Sequence, residues 1–141
     1  MRNADDPFSG TWKLNPEKSD FDPNHRPSTA TMRWERTDQG YRMIAEGIGS
    51  DGRVVKENPQ IFILDGEERP VSGAPEYTAV ATSPGPNSIQ AEGRKGGKVV
   101  GSARYVVSAD GTTLTATVSG IDAQHRPFQT KLVWDRVEFA L

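Results

Sequence analysis

The tripeptide His-Arg-Pro occurs twice, at 25–27 and 125–127, and holds both histidines of the 141-residue chain. Imidazole exchanges protons near neutral pH, so two histidines close to Asp20, Asp22 and Asp122 would offer acid–base chemistry or metal ligation. The spacing supports neither. There is no His-x-His or His-x-x-x-His pair to present two imidazoles from one element, and no metal site is expected. The chain has no Cys, which excludes thiolate catalysis and disulfides, and no Gly-x-Ser-x-Gly nucleophile elbow. Each His-Arg-Pro lies in a connection, where a solvated turn is the simpler reading. No catalytic residue and no cofactor is assigned, and the meaning of His25 and His125 rests on where the fold puts them.

The elements around them read as strands. Helical apolar spacing never lasts three turns, whereas period-2 alternation recurs between turn dipeptides. Residues 8–15 set Phe8, Gly10, Trp12 and Leu14 on one face against Ser9, Thr11, Lys13 and Asn15. Residues 29–36 set Ala30, Met32 and Trp34 against Thr31, Arg33 and Glu35. Further segments follow at 40–47, 54–64, 67–71, 76–82, 88–94, 98–108, 112–120 and 128–138. Asp-Gly at 51–52, 65–66 and 110–111 is a strong hairpin signal, because both central positions of a type I′ turn need positive φ. Short turns make sequential strands antiparallel neighbours, and an even number lets the first and last pair. The expected fold is all-β: a closed up-and-down antiparallel barrel of about ten strands. The weak stretch is 53–76, where Pro59 interrupts one segment and Pro70 and Pro75 flank the shortest.

With ten alternating strands, the connections at 16–28, 50–53, 72–75, 95–97 and 121–127 share one end. Both His-Arg-Pro turns fall there, which makes His25 and His125 barrel-mouth candidates. The Pro-rich segment 16–28 is long enough to fold across that mouth.

Composition narrows the function. Seventeen Lys+Arg against nineteen Asp+Glu are interspersed, and no basic block tracks a phosphate backbone, so nucleic acid is not an expected partner. The longest apolar runs, such as residues 61–64, are far short of a helical membrane span. The start, residues 1–7, reads as a short leader before a single domain at 8–141. A periplasmic or secreted location is expected if a longer leader has been removed, and a cytoplasmic one otherwise. A monomer or weak homodimer is expected.

Phe8, Gly10, Trp12, Lys13 and Leu14, followed by alternating strands and a closing Leu-Val-Trp-Asp-Arg-Val-Glu at 132–138, resemble the calycin superfamily of lipocalins and fatty-acid-binding proteins. More closely, the first-strand motif, residues 65–73 and residues 95–115 resemble a group of small bacterial lipocalin-like proteins. The resemblance implies a calycin barrel, an Arg136 packed over Trp12 at one end, and binding of a small apolar molecule. Two family features are not matched. Only 16–28 stands where fatty-acid-binding proteins insert two helices, and their closing Arg-x-Tyr carboxylate clamp has no counterpart, since Arg136 is followed by Val137 and Glu138. Fatty-acid specificity is therefore not implied.

A barrel of this size is either filled by side chains or holds one small ligand. Met32, Trp34, Met43 and Phe62 from the first half of the chain, and Tyr77, Tyr105, Leu132 and Trp134 from the second, are the expected ligand-lining residues. Many other inward positions are Ala, which leaves room. Tyr105 is expected inside and its neighbour Arg104 outside, because burying Arg needs a partner. Binding of a small hydrophobic ligand is the leading expectation. An isomerase, lyase or cyclase using the interior as a dry active site is the alternative, and a structural barrel with a filled core the third. No catalytic motif favours the second.

Overall fold

The computed structural model describes residues 7–20, 29–48, 54–56, 60–71, 74–121 and 125–137. Among them are eleven strands and no helix. They are β1 (Gly10–Leu14), β2 (Thr29–Arg36), β3 (Gly40–Ile48), β4 (Val54–Lys56), β5 (Gln60–Ile63), β6 (Arg69–Val71), β7 (Ala74–Gly85), β8 (Ser88–Lys95), β9 (Lys98–Val107), β10 (Thr113–Ile121) and β11 (Pro127–Val137). All ladders are antiparallel, in the order β4-β3-β2-β1-β11-β10-β9-β8-β7-β6, with β5 also on β3. β4 pairs with the end of β3 and β5 with its start, so the two share one lane and ten lanes result. The stretch around Pro59, read from sequence as one strand, supplies both pieces.

The expected first–last pair is present: Trp12 lies opposite Arg136 and Leu14 opposite Trp134. The hairpin expected at Asp65-Gly66 takes another form. Gly66 has the expected positive φ, 74°, but β5 and β6 share no ladder. The turn carries the chain across a seam, where the Gly66 N–H donates to the Ala81 carbonyl at 3.0 Å and β5 meets β7. The sheet thus curls round on itself, and a backbone hydrogen bond and packed side chains hold this seam. Gly40 permits the close approach of β5, since a Cβ there would lie 1.9 Å from the Phe62 carbonyl oxygen.

Alternation along each strand gives one face to the interior. Trp12, Trp34, Ile89 and Leu114 are fully enclosed, and Arg33 and Arg104, adjacent to inward residues, are exposed. Of segment 16–28, expected to fold across the mouth, residues 16–20 are described. They form a turn at 16–18 and then rejoin the lane of β1, with Asp20 and Lys131 exchanging two backbone hydrogen bonds. The Val133 N–H donates to Ser19 Oγ at 2.8 Å, and this bulge helps bury Val133 on the outer face of β11. Residues 21–28, His25 included, lie outside the described residues.

Candidate functional site

One end of the barrel is plugged. Trp12 Nε1 donates to the Phe8 carbonyl at 3.0 Å, and the Arg136 guanidinium lies 4.2 Å from the centroid of the Trp12 ring. Arg136 also donates to the carbonyls of Gly111, Ser9 and Pro7. A cation over an indole face, with its N–H groups spent on backbone oxygens, is a structural clamp. Gly10 makes it possible. Its φ of 132° suits glycine, and a Cβ there would sit 2.7 Å from an Arg136 nitrogen. The plug lies at the end away from residues 16–20, as the strand count implied.

Above the plug is an aromatic cluster. Trp34 stacks on Phe62, with centroids 5.4 Å apart and rings 10° from parallel. Tyr105 and Tyr41 meet Trp34 edge-on at 5.2 and 5.7 Å, and Phe8 touches it at 5.2 Å. Trp34 Nε1 donates to Met32 Sδ at 3.3 Å, and Met43 lies opposite Trp34 in register. Of the expected lining residues, Met32, Trp34, Met43, Phe62 and Tyr105 are thus brought together as one buried mass. Phe8 and Tyr41 belong with it and were missing from the sequence-derived set. Tyr41 has the parity of Met43, and Phe8 that of Trp12, so alternation alone could have included both.

Toward the other end the side chains shrink. Ala81, Ala91, Ala103, Val118 and Thr130 face one another in register across β7 to β11. The next row toward the mouth is Ala79, Gly93, Gly101, Gly120 and Phe128. Five lanes at the usual strand spacing make a floor about 19 Å wide. Apart from buried Ala81, these residues are only half-buried although they share the parity of the core. The Phe128 ring lies over Gly120, within 3.2 Å of where a Cβ would project. On β11, Leu132 stands next to this floor and Trp134 one row further toward the plug, Leu132 partly buried and Trp134 6% exposed. Tyr77 stands apart from the cluster at the rim, half-buried, with Lys95 Nζ 5.4 Å from its ring centroid.

The mouth does not assemble the two histidines within the described residues. His125 is exposed just before β11 and has a φ of 61°, the only positive value among described non-glycine residues. That is the geometry of a turn. His25 lies outside the described residues. No cluster of three His, Asp or Glu side chains suited to a metal occurs among the described residues. Among the described residues no helix is long and apolar enough to cross a membrane.

A cleft of about 240 Å³ lies elsewhere, on the outer wall of β1 to β3, lined by Thr11, Thr31, Arg33, Ile44 and Glu46 with Met32 behind them. Arg33 bonds Glu35 at 3.0 Å beside it. Its exposed and ion-paired lining suits solvent more than an apolar ligand, and the interior floor carries the stronger case.

A charged network covers the outside of the β6–β8 wall. Arg94 bonds Glu68 at 2.8 Å and Glu92 at 3.1 Å, and Thr78 donates to Glu68 at 2.7 Å. Arg69 lies opposite Ala79 in the ladder, on the face of the floor, and pairs with Asp65 and Glu67. The Thr78 hydroxyl and then Arg94 lower the Glu68 pKa, and Arg69 lowers that of Asp65. In the β9–β10 turn, hydrogen bonds from Ser108 and Thr112 hold Asp110 at about 2.

No family model matches the chain, and neither does any curated sequence. Solved structures do match in fold. The zebrafish ileal bile acid-binding protein, complexed with cholic acid, superposes with a TM-score of 0.57 at 13% identity, over 93% of this chain and 99% of that one. As-p18, an extracellular fatty acid binding protein, gives 0.55 at 12% identity, over 96% and 100%. The chain therefore has the β-barrel fold of these binding proteins.

Proposed function

We propose that the protein binds one small hydrophobic molecule inside its barrel, between the aromatic cluster and the mouth. The observation that carries this reading is the pair of inward rows of Ala and Gly, with Val118 and Thr130, across five strands, which Phe128 closes at one end. A barrel built only to be filled would place larger apolar residues there, because a void forfeits dispersion contacts that packing would supply. Trp34, Phe62 and Tyr105 form the base of the site, with Met32 and Met43 behind them. Leu132 and Trp134 form one wall, and Tyr77 stands at the rim. The fold neighbours, which bind a bile acid and a fatty acid, are in keeping with this use of the space.

Diphenylhexatriene, a hydrocarbon dye dark in water, tests the reading. It should brighten with the protein and saturate at one dye per chain. Ala91→Phe puts a ring into the floor and should weaken binding by about tenfold or more, since overfilling a packed space costs about 1–3 kcal/mol. Gln90→Phe, on the exposed face next to it, should leave the affinity unchanged. Equal effects, or no binding by the wild type, would refute the reading.

A further inference from the structure

Three tryptophans lie inside, and two of their N–H groups are used. Trp12 donates to Phe8 and Trp34 to Met32. Trp134 Nε1 is buried and meets no acceptor among the described residues, in a side chain only 6% exposed. Leaving a buried donor unmet is costly, and indole can only donate. The register places Trp134 between Leu14 and Leu114 on the inward face, two residues from Leu132 and diagonal to Ala116. It thus stands below the small-residue floor, separated from it by the row of Leu132, Ala116, Tyr105 and Ile89.

The charges inside set the second condition. No buried residue among those described is charged. Arg136 shares the parity of Trp134, but three backbone carbonyls and the Trp12 face occupy its guanidinium. Arg36 is exposed and donates to the Tyr41 hydroxyl at 3.2 Å. Lys95 is exposed at the rim, and Arg69, opposite Ala79 in register, is engaged by Asp65 and Glu67. A carboxylate carried down to Trp134 would lose its hydration and gain no counter-charge, which is costly.

Resting on the binding reading above, we infer that Trp134 is the polar anchor of the site, and that the preferred ligand is an uncharged apolar molecule with one hydrogen-bond acceptor. A ketone, ester, ether or alcohol oxygen would take the indole N–H. The ligand class thereby departs from the ionised carboxylates that a bile-acid or fatty-acid site accommodates.

Cyclododecanone and cyclododecane share a shape and differ in one carbonyl, so they isolate the bond. Both should displace diphenylhexatriene. Trp134→Phe keeps the aromatic bulk and removes the donor. It should weaken cyclododecanone about tenfold and leave cyclododecane within about twofold, the scale of one buried hydrogen bond. Laurate at neutral pH should compete more weakly than cyclododecanone. In the wild type, cyclododecanone should shift the Trp134 indole N–H resonance downfield and leave the Trp12 resonance in place, a readout that needs no variant to fold. Equal loss of both cyclic ligands, tighter binding of laurate, or an unmoved Trp134 resonance would overturn the inference while the apolar site stands. Failure of the wild type to bind diphenylhexatriene or either cyclic compound would overturn both.

Discussion

Arg136 shows how one side chain organises an end of the fold. It stacks on Trp12 and gives its N–H groups to Gly111, Ser9 and Pro7, joining the β10 turn, the chain start and β11. Arg136→Ala should cost about 2–4 kcal/mol in urea unfolding, because the stacking is lost together with hydrogen bonds to a charged donor. Arg136→Lys should recover little of this, since a single ammonium cannot reach three acceptors and stack as a plane. A lysine variant as stable as wild type would reduce the clamp to its charge alone. The Trp12–Arg136 pair was legible in the sequence, because the calycin resemblance implies it and closure makes the first and last strands neighbours. The free Trp134 donor was not. Period 2 places its indole inside, but only coordinates show which N–H groups find carbonyls.

At the scale of elements, alternation read nearly every strand, and the facing residues followed from it. Tyr105 is buried and Arg104 exposed, as the cost of burying a guanidinium requires. The departures lie where pairing is decided at long range. Asp65-Gly66 has local hairpin chemistry, yet β6 finds its partner in β7, and the turn bonds to Ala81 instead of closing a β5–β6 ladder. Residues 16–20 look like loop by composition, but free backbone groups on β11 recruit Asp20. The exposed carboxylates of these turns and edges also have a pH signature. Glu68 and Asp65 have folded pKa values lowered by Thr78 with Arg94 and by Arg69, and Asp110 is held at about 2. A lowered folded pKa gives stability that is complete above the ordinary carboxylate value and lost as pH falls through the folded one. The thermal midpoint should therefore decline between about pH 4 and pH 2. Glu68→Gln and Asp110→Asn should each make that decline shallower, and an unchanged slope in both would show that these bonds do not persist in solution.

For the whole molecule, the barrel combines a plugged, aromatic end with a wide floor of small residues near the mouth. The sequence showed the ring of aromatic residues and the abundance of inward Ala. It did not show that these alanines align with Gly93, Gly101 and Gly120 into continuous rows, because register emerges only when strands pair. Nor could it settle the two His-Arg-Pro turns as a site: His125 is an exposed turn residue, and His25 lies outside the described residues. The central claim is that an apolar molecule occupies the interior against this floor. The most direct test is to label the methyl groups of Ala, Thr and Ile and record intermolecular nuclear Overhauser effects to bound cyclododecanone. Contacts should appear at Ala79, Ala91 and Ala103, inside. Contacts confined to the outer wall, at Thr11, Thr31 and Ile44, or the absence of any, would contradict the account.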